Sequence, residues 1–167
     1  ASAVGRSLDF RRSAIASIDY HAIPPLPDTR DELLAIAETL RADPQRDLLL
    51  GPRATRSSVV VASRSGELAE RRVVAFATHG LMAGDLPGLD QPALALAATG
   101  EEAIDPLAPL LSLDDVLQLK LNADWVLLSA CNTAAADGRA EEALSGLARG
   151  FFFAGARSLL VTHWAVE

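Results

Sequence analysis

The chain is poor in several residue types, and each shortage narrows what it can be. Its 167 residues include one cysteine, Cys131, and one lysine, Lys120, among fifteen basic residues. A single cysteine cannot close an internal disulfide. The fold therefore needs no oxidising compartment, which fits a cytoplasmic setting. Net charge is −7, and the only basic pairs are Arg11-Arg12 and Arg71-Arg72. A nucleic-acid footprint would need a basic face, so nucleic acid is not an expected partner. No apolar run is long enough for a membrane span. The nearest, "GFFFAGARSLLVTHWAV", is interrupted by Gly155 and Arg157. A P-loop pattern and a dinucleotide-binding glycine fingerprint are both missing. "ALSGL" lacks the first glycine of a nucleophile elbow. His21, His79 and His163 with one cysteine do not show metal-ligand spacing, so neither metal nor cofactor is expected.

What is present is apolar: half the residues are hydrophobic. A chain of this length can bury one real core. It begins at Ala1 with neither Met nor a signal-peptide pattern, and reads as a piece of a longer protein. Residues 1–27 give weak signals, and "AIPPLPD" reads as an extended linker. The main domain is expected over 28–167.

In that domain, Thr29 and Glu32 fit a capping box, followed by Leu33, Ile36, Ala37 and Leu40 on one helix face. Pro44 stops the pattern. "DLLLG" (47–51) is a short strand candidate. "ATRSSVVVAS" (54–63) has strand-favouring valines but plausible caps in Thr55 and Ser57. "RRVVAFATHG" (71–80) is a continuous apolar run ending at His79, expected as a buried parallel strand. "PALALAA" (92–98) reads as an edge strand, because Pro92 cannot donate to a ladder. "LSLDDVLQLKL" (111–121) carries a second capping box, Ser112 and Asp115. "DWVLLSA" runs as a strand into Cys131. Residues 140–154 read as a helix whose Gly146 and Gly150 suggest close approach to a sheet. "ARSLLVTHW" (156–164) is one more strand. Strands alternating with helices mean an α/β sandwich with a mostly parallel sheet.

Function in open α/β sheets gathers at the carboxyl ends of strands. Two apolar strands here end in reactive residues, one at His79 and one at Cys131. A lone cysteine is more often a small buried hydrophobe than a nucleophile. A histidine at a strand end is often simply hydrogen-bonded to a loop. The chemical case is that a free thiol has a pKa of roughly 8.5 and gains from a nearby imidazole. The same imidazole can protonate a departing amine. A carbonyl under attack needs N–H donors for its oxygen. Gly80, without a Cβ, and the backbone of Cys131 are candidates for that oxyanion hole. Trp125 and Trp164 read as core or cleft wall, and Asn132 and Thr133 as residues shaping the loop after the thiol.

The blocks "VVAFATHG", "LSLDDVLQLKLNADWVLLSACNTA" and "GLARGFFFAGARSLLVTHWAV", in that order, closely resemble the CHAT domain. That family is caspase-like, often attached to TPR repeats, and related to separase and to the caspase–gingipain–legumain clan of cysteine peptidases. The resemblance covers roughly residues 28–167. It implies a three-layer α/β/α sandwich, and a helix over 54–63. It implies a cysteine endopeptidase acting on a protein or peptide, with His79 and Cys131 as the dyad and Gly80 in the oxyanion hole. TPR repeats in the same full-length protein would be the regulatory partner. A catalytically inactive domain of the same fold, serving as a scaffold, is the alternative. Family members normally continue past the "W-x-V" block, so the C-terminal part of the fold is expected to be absent here. Relatives that cut after basic residues carry an acid just beyond that block, which draws attention to Glu167. His163 stands where relatives often have an apolar residue and could line the cleft. Asp85, in the loop after His79, is a further candidate for touching substrate, though it also reads as a turn residue.

Overall fold

The computed structural model describes Leu26 and residues 28–98, 100, 105, 107–131 and 139–162. Helix α1 spans Asp28–Leu40. Thr29 lies inside it, and its hydroxyl donates to the Leu26 carbonyl at 2.7 Å. The Thr29–Glu32 capping box therefore does not form, and Glu32 is engaged elsewhere. Arg41, in the left-handed region at φ 54°, ends the helix. A short helix α2, Pro44–Asp47, follows, with Asp43 Oδ1 accepting from the Gln45 N–H at 2.9 Å. The expected strand at "DLLLG" joins no ladder. Leu48 and Leu50 are extended, but no described residue pairs with them as a strand. Helix α3, Arg56–Arg64, is capped by Thr55, whose hydroxyl accepts from the Ser58 N–H at 3.0 Å. The caps thus prevail over the strand propensity of its valines.

Five strands form one sheet in the order β3-β2-β1-β4-β5. They are β1 (Val73–Leu81), β2 (Ala93–Ala95), β3 (Leu110–Ser112), β4 (Trp125–Cys131) and β5 (Ser158–Thr162). The three longer strands run parallel, β1 with β4 and β4 with β5. The two short ones are antiparallel, β1 with β2 and β2 with β3. The sheet is therefore mostly parallel, as expected, with a short antiparallel extension that makes it mixed. Residues 93–95 lie inside it and not at its edge. Pro92 precedes the strand, so its missing N–H costs no ladder bond, and its carbonyl accepts from Leu113 at 3.0 Å. β3 occupies residues expected to open a helix. The Ser112–Asp115 capping box does form, but it starts a short helix, α4, over Leu113–Gln118.

Helix α5, Arg139–Phe153, completes the elements. Phe151 is fully buried, with its ring centroid 5.4 Å from that of Phe76 on β1. Around this pair a core gathers Val74, Leu94, Leu111, Val126 and Leu128 from one sheet face with Val59, Val116 and Leu147 from the helices. Gly150 is needed for the approach of α5 to α4, not to the sheet. A Cβ there would lie 2.7 Å from Leu113 Cδ1. α1 packs against the opposite sheet face, where Ser129 Oγ donates to Glu32 Oε2 at 2.9 Å. A second, smaller apolar cluster joins Leu81, Leu89, Ala93, Ala95 and Leu110. No helix among the described residues is long and apolar enough to cross a membrane.

Charged residues hold the amino ends of the parallel strands. Arg72 and Arg157 both pair with Asp124, and Arg157 also donates to Asn122 Oδ1 at 3.1 Å. Arg71 bonds Asp47 at 2.7 Å, fastening α2 to the foot of β1. Trp125, at this foot, is 49% exposed, so it is neither core nor wall of a cleft at the strands' carboxyl ends. An aromatic at the start of a buried strand can sit outside it because the first residue precedes full coverage.

Candidate active site

The β1 run Val73–Ala77 is apolar throughout, with Val74 and Phe76 buried and Val73, Ala75 and Ala77 on the other face partly buried, and such continuous apolar runs are typical of parallel strands. The register is set from the first pair, Val73 with Trp125, and carries through without a bulge to the last, His79 with Cys131. Paired residues of neighbouring strands share a sheet face, and adjacent strands lie about 4.8 Å apart. The two residues singled out in the sequence are thus lateral neighbours at the carboxyl ends of their strands. Gly80 lies one residue past the last β1–β4 pair, opposite Leu94 on β2. It is buried, as is His79, which is 5% exposed.

Two residues back on the same face, Ala77 pairs with Ser129. Ser129 is buried, and its bond to Glu32 brings the start of α1 over this end of the sheet. Sequence reading assigned Glu32 to a helix cap and Ser129 to a plain strand. The missed signal was a hydroxyl inside an otherwise apolar run, which needs a partner once buried. On the other side of β1, Thr78 donates its hydroxyl to the Ala95 carbonyl, tying β2 down beside His79.

Asp85 sits in the turn after β1. Its Oδ2 accepts from the Met82 N–H at 2.7 Å, and its own N–H donates to the Met82 carbonyl at 3.1 Å. Its carboxylate therefore closes a turn, as a residue of this type commonly does. His163 and Glu167 lie outside the described residues, as do Asn132, Thr133 and Trp164.

Among curated proteins and solved structures nothing matches the chain significantly. The family model of the CHAT domain matches residues 3–167. The chain belongs to the CHAT domain family, which is related to caspase-like peptidases.

Proposed function

We propose that this CHAT-family chain is a cysteine endopeptidase of the caspase-like clan, built on a three-layer α/β/α sandwich, that cuts a partner protein. The observation that carries the reading is the β1–β4 register pairing His79 with Cys131. His79 takes the thiol proton, and the Cys131 thiolate attacks the scissile carbonyl carbon. The carbonyl electron pair moves to oxygen, where the N–H groups of Gly80 and Cys131 receive it. Collapse breaks the C–N bond as His79 returns its proton to the departing amine, leaving a thioester. Water then loses a proton to His79 and attacks the thioester. The C–S bond breaks, the acid product leaves and the thiol is restored. Glu167 would attract a basic substrate side chain, Asp85 would touch substrate from the turn after β1, and His163 would line the cleft. TPR repeats in the full-length protein would govern access.

One observation favours a second reading, a non-catalytic scaffold domain. His79 is only 5% exposed, which leaves a substrate little access to its ring. A thiol-reactive peptide probe on the full-length protein separates the two. The peptidase reading expects labelling that Cys131→Ala abolishes and His79→Ala sharply slows. Labelling untouched by Cys131→Ala, or none at all, would overturn it.

A further inference from the structure

One rung below residues 79 and 131 the sheet turns polar. Ala77, Ser129 and Thr162 lie side by side across β1, β4 and β5, on the face that carries positions 79 and 131. The next rung down is apolar again, Ala75 with Leu127 and Leu160. A buried hydroxyl needs a partner. Ser129 finds one in Glu32, donating to Oε2 at 2.9 Å. Thr162 does not: its Oγ1 is buried and forms no hydrogen bond among the described residues. Glu32 is partly buried on α1 and differs from the other carboxylates drawn into the fold. Asp47, Asp115 and Asp124 each face an arginine, whereas no arginine or lysine among the described residues pairs with Glu32. A carboxylate that gives up hydration recovers it from a cation or from several donors, and one hydroxyl is a small part of that.

We infer that Glu32 and the Thr162 hydroxyl together determine specificity, receiving a lysine side chain of the substrate. The inference rests on the peptidase reading, which puts the scissile carbonyl at residue 131. The rung of Ser129 and Thr162 lies two residues down the strands, about 7 Å from that point. Only a long side chain crosses this depth, and the unpaired carboxylate selects a cationic one. Of the two long cations, lysine fits the acceptors better. Ser129 already occupies one oxygen of Glu32, so a guanidinium fork cannot have both to itself. An ammonium group carries three donors on a flexible stem and can divide them between Glu32 Oε1 and Thr162 Oγ1. Pairing there would be partly desolvated, which penalises a neutral or acidic side chain in the same place.

Two measurements on the full-length protein test it: peptide binding to the Cys131→Ala variant, and Cys131-dependent labelling by thiol-reactive peptide probes. The peptides differ only in the residue bearing the reactive carbonyl, which is Lys, Arg, norleucine or Glu. Lysine should bind about 30-fold or more tighter than norleucine and about threefold or more tighter than arginine. Glu32→Gln should weaken the lysine peptide about 30-fold and leave norleucine within about threefold. Asp31→Asn, exposed on the same helix, should change neither. Thr162→Val should erase the margin of lysine over arginine. A fall common to all peptides in Glu32→Gln would give Glu32 a purely structural role and overturn the inference. So would the same loss in Asp31→Asn, lysine binding no tighter than norleucine, or arginine binding tighter than lysine. Labelling that needs Cys131 but ignores Glu32→Gln ends the inference and leaves the peptidase reading standing. Lysine-selective binding that needs Glu32, without any labelling, ends the peptidase reading and supports the subsite. Should Glu32→Gln fail to fold, Thr162→Val decides: loss of the lysine margin supports the inference, and an unaltered margin ends it.

Discussion

β1, β4 and β5 run parallel through long, unbroken ladders, while β2 and β3 add three residues each in antiparallel register. The long half rests on a shared core behind it, centred on Phe76 and Phe151, and is clamped at its foot by the pairs of Asp124 with Arg72 and Arg157. The short half reaches the same core through Leu94 and Leu111, adds a smaller cluster around Ala93, Ala95 and Leu110 on its other face, and is tied to β1 by the Thr78 hydroxyl. Both halves meet at His79, which pairs with Cys131 on one side and Ala95 on the other. The long half supplies position through extended register. The short half supplies cover, pairing with the flank of β1 that faces away from β4 at His79–Leu81.

The sharpest way to separate position from stability is Cys131→Ala. Peptide hydrolysis by the full-length protein should fall by roughly 10³-fold or more, with the thermal midpoint nearly unchanged. A midpoint that dropped by several degrees would instead assign residue 131 to the core. The foundation of the long half is probed by Phe151→Ala, expected to cost about 3–5 kcal/mol in urea unfolding, because it empties the centre of the main cluster. Thr78→Val loosens the tie between the halves. It leaves the Ala95 carbonyl without this donor and should cost about 1 kcal/mol. Exchange should quicken at β2 and β3 and hold steady at β4 and β5. A uniform response would dissolve the distinction between the halves.

The smallest effect concerns α4, which follows directly on β3. Burial pushes the Asp115 carboxyl up, but bonds from Arg56 (2.7 and 2.8 Å) and from the Ser112 N–H and hydroxyl outweigh it and hold the group below its usual range. A depressed carboxylate stabilises the fold above its unfolded pKa of about 3.9, and that contribution is lost as pH falls through the folded value. Asp115→Asn should cost about 1 kcal/mol at neutral pH. It should also flatten the decline in stability below about pH 4, as followed by denaturant titrations at several pH values.

The same division explains what could be read from the chain. Val73–Ala77 and Trp125–Leu128 are continuous apolar runs, and such runs announce buried parallel strands. Once both were placed, the pairing of the residues at their ends followed. β2 and β3 are three residues each, too short for a period to register, and β3 was absorbed into the helix expected from 111. "DLLLG" has strand composition, but a strand needs a neighbour, and no described strand lies beside it. The Ser112–Asp115 box was legible because it is local. The Thr29–Glu32 pair looked the same, yet Glu32 was claimed by Ser129, far along the chain, which no local pattern reveals. Gly150 was read as a close approach to the sheet, whereas it faces Leu113 and Val116 of α4, a short helix whose position no local pattern gives.

The unbulged β1–β4 ladder has an evolutionary corollary. Because side chains alternate with a period of two, inserting one residue inside either strand would carry everything beyond it to the other face of the sheet. Residues inserted between the strands would leave the match of 79 with 131 untouched. The connecting stretch can therefore lengthen, shrink or diverge among relatives, remodelling what surrounds the pair, while the two strands themselves tolerate substitution but not a change in length.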